Sequence, residues 1–248
     1  YHNIVRHDDG SGGQGYWGLR LTSAGQLEWF IGGGGGQISL VSAGSLDDGN
    51  WYAVTAVRDA AAGELRLYVD GLQAAAPVSD GAADVTGPAG FRMGIGAGLW
   101  AGGGSFEHFE GEIDEVTMVD RALTAAEARR LANARSSGVC TSCAAISSDR
   151  ISRWKGEGTA DDDIGSNHGI LVNGASYAPG LVGQAFQLVL GQYTQHVEIP
   201  HHPSLSFAAD QPMSIDLWVN RTNWGGNRYL LAKLENCDPD HWNYQVWN

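Results

Sequence analysis

The sequence predicts an all-β protein: a sandwich of two antiparallel sheets with one short helix near 123–133. Three observations carry this. Short segments along the chain alternate apolar and polar residues with the period of a pleated strand. Of the 248 residues 36 are glycine, many in runs such as Gly32 to Gly36 and Gly102 to Gly104, which follow and precede strand-like segments. Only the stretch after Thr124 carries the chemistry of a helix.

In order, Ile4-Val5-Arg6 reads as a short strand and His7 to Gly13 as a polar turn. Tyr16 to Leu21 and Leu27 to Ile31 form a hairpin through Ser23-Ala24-Gly25. Gln37 to Val41 is the next strand. Asn50 to Val57 and Glu64 to Gly71 alternate cleanly on either side of a short loop, a second hairpin. Phe91 to Gly96 and then Phe109 to Val119 complete this part. Unbroken alternation in the last strand puts Ile113, Glu115, Thr117 and Val119 on one face and Asp114, Val116 and Met118 on the other. Thr124-Ala125-Ala126-Glu127 is a capping box, and Ala-Glu-Ala-Arg-Arg-Leu continues the helix. Residues 135–150 are a Ser/Gly-rich linker with Cys140 and Cys143 in CxxC spacing, read as a local disulfide, while Cys237 is left over. Strand patterns then restart at Ile151 to Trp154 and include His196 to Ile199 and Ser214 to Val219.

The series Asn50-Trp51-Tyr52-Ala53-Val54-Thr55, Leu67-Tyr68-Val69-Asp70-Gly71 and Gly111-Glu112-Ile113-Asp114-Glu115-Val116, followed by Arg121-Ala122-Leu123-Thr124, resembles the back part of a bacterial laminin-G-like (concanavalin A-like) domain. Ile151 to Gly169, Asn173 to Phe186 and Ser214 to Val219 resemble the front part of the same family. The resemblance implies a jelly-roll sandwich, with residues 1–134 as the back portion of one domain, 135–150 as linker and 151–248 as the front portion of a second, tandem repeat. Leu231-Ala232-Lys233 lines up with Ile4-Val5-Arg6, and Trp242 to Val246 with Trp17 to Leu21. The chain thus begins and ends at one point of a single fold. Each portion alone leaves open sheet edges. The expectation is that 151–248 completes the sandwich of 1–134, within one chain as a circular permutant or between chains by exchange, with residues 3–21 and 229–248 competing for one slot.

Function is read first by exclusion. The net charge of −13, from 28 acidic against 15 basic residues, repels nucleic acid and anionic membrane. No run of about 20 apolar residues marks a membrane span. There is no phosphate-cradling loop ahead of a helix and no organic-cofactor fingerprint. Glycoside hydrolases of the same sandwich carry Glu-x-Asp-x-x-Glu on one strand. Glu112 and Asp114 fit that pattern, but Thr117 stands where the second Glu belongs, so a retaining mechanism lacks its acid/base and no residue is assigned a catalytic role. Asp161, Asp162 and Asp163 with Asn167 form the densest oxygen cluster and are the candidate ligands for Ca2+. Trp100 and Trp224 lie in Gly-rich loops, where an aromatic ring can stack on a sugar, with Asn223 and Asn227 as hydroxyl partners. Trp17, Trp51, Trp154 and Trp218 are read as core. The expected ligand site is therefore at the loop ends rather than on a sheet face. The resemblance implies a secreted or cell-surface module that binds a glycan or an extracellular protein without catalysis. The alternative is an adhesive, structural repeat that self-associates by strand or half-domain exchange.

Overall fold

The computed structural model describes residues 15–33, 36–86, 92–99, 104–134, 149–189, 194–221 and 228–233. The candidates Trp100, Trp224, Asn223 and Asn227, all three cysteines, Ile4-Val5-Arg6 and Trp242 to Val246 lie outside the described residues.

Two large antiparallel sheets face each other. The first holds seven strands in the order β13 (Ile170–Val172), β16 (His196–Ile199), β8 (Met93–Ile95), β18 (Arg228–Lys233), β1 (Tyr16–Leu21), β2 (Gln26–Gly33) and β3 (Gly36–Ser45). The second runs β14 (Ser176–Pro179), β15 (Gln184–Leu188), β11 (Gly111–Val119), β17 (Met213–Arg221), β4 (Trp51–Asp59), β5 (Glu64–Val69) and β6 (Leu72–Gln73). β12 (Arg150–Trp154) also pairs with β11, and β7 (Val78–Ser79) with β5. A small hairpin, β9 (Gly98–Leu99) and β10 (Ser105–Phe106), stands apart. The single α-helix described is α1 (Ala125–Ala134). No helix among the described residues is long and apolar enough to cross a membrane.

Alternation builds the sandwich directly. Trp17, Leu19 and Leu21 of β1, Val54 and Ala56 of β4, and Ile215, Leu217 and Val219 of β17 point inward into one continuous core with Trp29, Trp154, Phe186 and Ile199. The hairpins expected at β1–β2 and β4–β5 are present in register, Leu19 opposite Trp29 and Ala56 opposite Leu67. In both sheets the strands of 150–233 interleave with those of 16–119: β17 lies between β11 and β4, and β18 between β8 and β1. β18 and β1 hold adjacent slots and pair antiparallel, Trp17 opposite Lys233 and Leu19 opposite Leu231.

β11 departs from its expected alternation. Glu115 has a left-handed backbone (φ 55), and the register of β11 against β17 shifts between Asp114 and Thr117. This bulge moves Val116 and Met118 to the core side with Ile113, while Thr117 and Val119 join Glu112 and Asp114 on the outer side. A buried ion pair holds the bulge: Arg153 Nε donates to Glu115 Oε2 at 2.8 Å.

The two outer faces differ. On the first sheet, Gly18 lies under the Phe30 ring, where a Cβ would come within 2.3 Å of it. Arg20 is fully buried between Glu28 (2.9 Å) and Glu107 (3.6 Å), with its guanidinium over Phe30. Phe106 of the small hairpin packs on the same ring. The outer face of the second sheet is covered on the β4–β5 side by α1, whose Ala128 and Leu131 pack on Val57, Tyr68 and Val119. The capping box forms as expected: the Thr124 amide donates to Glu127 Oε2 at 2.8 Å and the Glu127 amide to Thr124 Oγ1 at 3.3 Å. Arg121 bonds the same carboxylate at 2.6 Å, and this pairing holds Glu127 down at about 2.

Candidate functional site

The β14, β15, β11, β17 and β4 portion of the second sheet's outer face lies beside α1. Strand register aligns one row of residues across it: Ser176 opposite Gln187, Gln187 opposite Glu112, Glu112 opposite Asn220, and Asn220 opposite Trp51. Directly opposed residues share a face, so five strands present a hydroxyl, two amides, a carboxyl and an indole in line. All five are half-buried, so each retains a solvent-facing surface. The row is internally braced. Ser176 Oγ lies 3.3 Å from Gln187 Oε1, and Gln187 hydrogen-bonds Glu112. Asn220 Nδ2 donates to Gly49 O at 2.9 Å, and its Oδ1 is buried without a partner among the described residues. Burial raises the Glu112 carboxyl, with the Gln187 bond opposing.

The next row inward is Asp114, Trp218 and Ala53. Trp218 is buried, yet on this outer face: with Ala53, Ala132, Trp51 and Leu181 it forms a satellite cluster under the end of α1. Trp51 and Trp218 therefore leave the main core to which the sequence reading assigned them, because β17 and β4 turn these positions toward the helix rather than toward the first sheet. Asp114 is fully buried under the turn between β14 and β15. Its Oδ2 accepts the Val182 amide at 2.9 Å, and Gly180 lies so close that a Cβ there would stand 2.7 Å from that oxygen. Its Oδ1 has no partner among the described residues. Burial pushes the carboxyl up to about 7, against the Val182 bond. Asp114 is thus a turn-holding acid with no open approach, and Thr117 is buried, its Oγ1 3.3 Å from the Glu115 carbonyl. The strand does not bring two exposed carboxyl groups to one point, as paired-carboxylate glycoside hydrolysis requires.

The acidic loop residues point four ways. Asp162 Oδ1 accepts the amides of Arg153 (2.9 Å), Ile164 (3.0 Å) and Gly165 (3.0 Å), and Oδ2 accepts that of Asn167 (3.1 Å). Burial would raise this carboxyl, but the Gly165, Arg153 and Ile164 amides outweigh it and hold it below its ordinary value. Asp163 pairs with Lys155 and Asp161 faces His168. Asn167 donates to Ser152 Oγ (2.7 Å) and Ser204 Oγ (3.1 Å). The geometry makes Asp162 the keystone of the loop, both its carboxylate oxygens engaged by backbone amides, and among the described residues no three His, Cys, Asp or Glu side chains converge as metal ligands do.

Sequence reasoning reached Glu112 but missed Ser176, Gln187, Asn220 and the exposed aspect of Trp51. Their alignment is a product of cross-strand register between residues as far apart in sequence as Trp51 and Asn220, and no linear motif records it.

No curated protein and no solved structure matches the chain. The family model described as the concanavalin A-like lectin/glucanases superfamily, of laminin-G type, matches residues 1–129, which hold β1 to β11 and the first half of α1. With that match over half of its length, and two facing antiparallel sheets of the kind the family name implies, the chain belongs to the laminin-G-like branch of the concanavalin A-like lectin and glucanase superfamily.

Proposed function

We propose that the chain is a non-catalytic glycan-binding module of a secreted or surface protein, and that its ligand lies along the Ser176–Gln187–Glu112–Asn220–Trp51 row. The family's fold is of a kind that binds carbohydrate or protein. The row is the observation that favours carbohydrate. A half-buried indole, two primary amides, a carboxylate and a hydroxyl at strand spacing match the alternating apolar faces and hydroxyl rims of successive sugar rings. A protein partner would be expected to seek a broader apolar centre than this face offers. This reading moves the ligand from the loop ends to the sheet face. The burial of Asp114 and the position of Thr117 support binding without bond cleavage.

Titration of the chain with oligosaccharides selected on a glycan array tests this. Trp51→Ala is expected to weaken binding about fivefold, the loss of one stacking contact of about 1 kcal/mol, with the fold retained by circular dichroism. Unchanged affinity in Trp51→Ala and Glu112→Gln would remove the row from the function. Release of new reducing ends from a bound glycan would overturn the non-catalytic reading.

A further inference from the structure

Both sheets are closed in the same order: two strands of 150–233, one of 16–119, one of 150–233, then three of 16–119. Seven strand pairings cross between the two parts, namely β1–β18, β11–β12, β11–β15, β11–β17, β16–β8, β17–β4 and β18–β8. Neither part keeps a complete set of strand neighbours without the other. The sequence adds a second observation. Leu231-Ala232-Lys233 repeats Ile4-Val5-Arg6, and Trp242 to Val246 repeats Trp17 to Leu21. Under that alignment Lys233 stands for Arg6 (233 − 6 = 227) and Leu231 for Ile4 (231 − 4 = 227). The observed register, Lys233 opposite Trp17 and Leu231 opposite Leu19, is therefore the one that Arg6 and Ile4 would take on the same strand. By sequence pattern every copy carries a second segment resembling each strand at this seam, so local sequence does not specify that β1 must pair with the β18 of its own chain.

We propose that the chain assembles with a second copy of itself by exchanging residues 150–233, so that β17 and β18 of one copy fill the gaps in both sheets of the other. The strand contacts are the same in the closed and exchanged forms. Their balance is then set by concentration and by the connection between α1 and β12 rather than by new interface chemistry.

The test uses the full chain with Cys140, Cys143 and Cys237 replaced by serine and with Leu19→Cys and Leu231→Cys on opposed positions of β1 and β18. The chain is unfolded, refolded at about 1 µM and at about 100 µM, and oxidised, a range over which a concentration-dependent equilibrium shows itself. Non-reducing electrophoresis is expected to show a bond within one chain at the low concentration and covalent dimer as the main species at the high one. Bonds within single chains at both concentrations would overturn the proposal. Light scattering of the unsubstituted chain over the same range reads the result without the core substitutions. A mass rising toward two chains is expected, and the mass of one chain throughout would overturn exchange. A dimer by mass whose cross-links all lie within single chains would also overturn it, since the copies would then meet through another surface.

Discussion

Asp216 shows how much a single buried acid sets the molecule's response to pH. It lies on the outer face of β17, opposite Thr55 of β4, and Thr55 Oγ1 donates to it at 2.6 Å. Burial pushes the carboxyl up to about 7, the Thr55 bond opposes this, the nearby Glu115 adds to it and Arg150 offsets part. The folded value lies above the unfolded one near 4, so the folded state holds the proton more tightly. Stability from this group is complete below about pH 4, falls as pH rises to about 7, and stays at its lower level beyond. Asp216→Asn keeps an acceptor for Thr55 and removes the ionisation. It is expected to raise stability at pH 8 by about 4 kcal/mol and to leave stability at pH 4 nearly unchanged, read by urea unfolding at the two values. Asp114 shifts in the same direction for the same reason, so the parent protein keeps part of the slope and the difference between the two chains isolates Asp216. An equal effect of the substitution at both pH values would show that the fold does not raise the Asp216 carboxyl.

At the scale of the element, β11 separates what the sequence reveals from what it hides. Its span and its exit into the Thr124–Glu127 capping box follow from residue chemistry within a few neighbours. The bulge at Glu115 does not, because the usual signal for a left-handed position is glycine and a glutamate stands there. What holds it is Arg153, 38 residues away on β12. The ligand row was hidden likewise: both faces of β4 carry apolar residues, so its period does not say which one meets the other sheet, and how far α1 covers Trp51 is fixed by packing. The bulge is expected to be kept by its ion pair against backbone strain of about 1–3 kcal/mol. Glu115→Gly relieves the strain but leaves the buried Arg153 guanidinium without its partner, a loss of about 3–5 kcal/mol, so a net destabilisation of about 2 kcal/mol is expected. Adding Arg153→Met to Glu115→Gly is expected to recover stability relative to Glu115→Gly alone. Additive losses in that double-mutant cycle would show that the pair does not carry the bulge.

Across the whole molecule, the interleaved sheets imply that the segments 16–134 and 150–233 share one core and unfold together. Arg58 ties them outside the sheets as well. It is fully buried on β4 and donates to Asp80 Oδ2 at 3.1 Å and to the Ala83 carbonyl within its own segment. Its other bonds run to the Ala208 (3.1 Å) and Ala209 (2.8 Å) carbonyls of the turn that leads into β17. One guanidinium therefore fixes the entry of the strand that fills the gap between β11 and β4, and a single planar, five-donor group is what that geometry needs. Arg58→Met keeps the stem but strands a buried carboxylate and three carbonyls, so a loss of about 3–5 kcal/mol is expected. For a chain of this size that corresponds to a fall in Tm of about 10 °C. If the segments were independent units, Arg58→Met would lower one of two transitions and leave the other in place. With β17 wedged between two strands of the other segment, tryptophan fluorescence and far-ultraviolet circular dichroism are instead expected to report one transition that moves as a whole. That cooperativity is also why a copy opened at the β18–β1 seam has no partly folded resting state, and must close either on itself or on another copy.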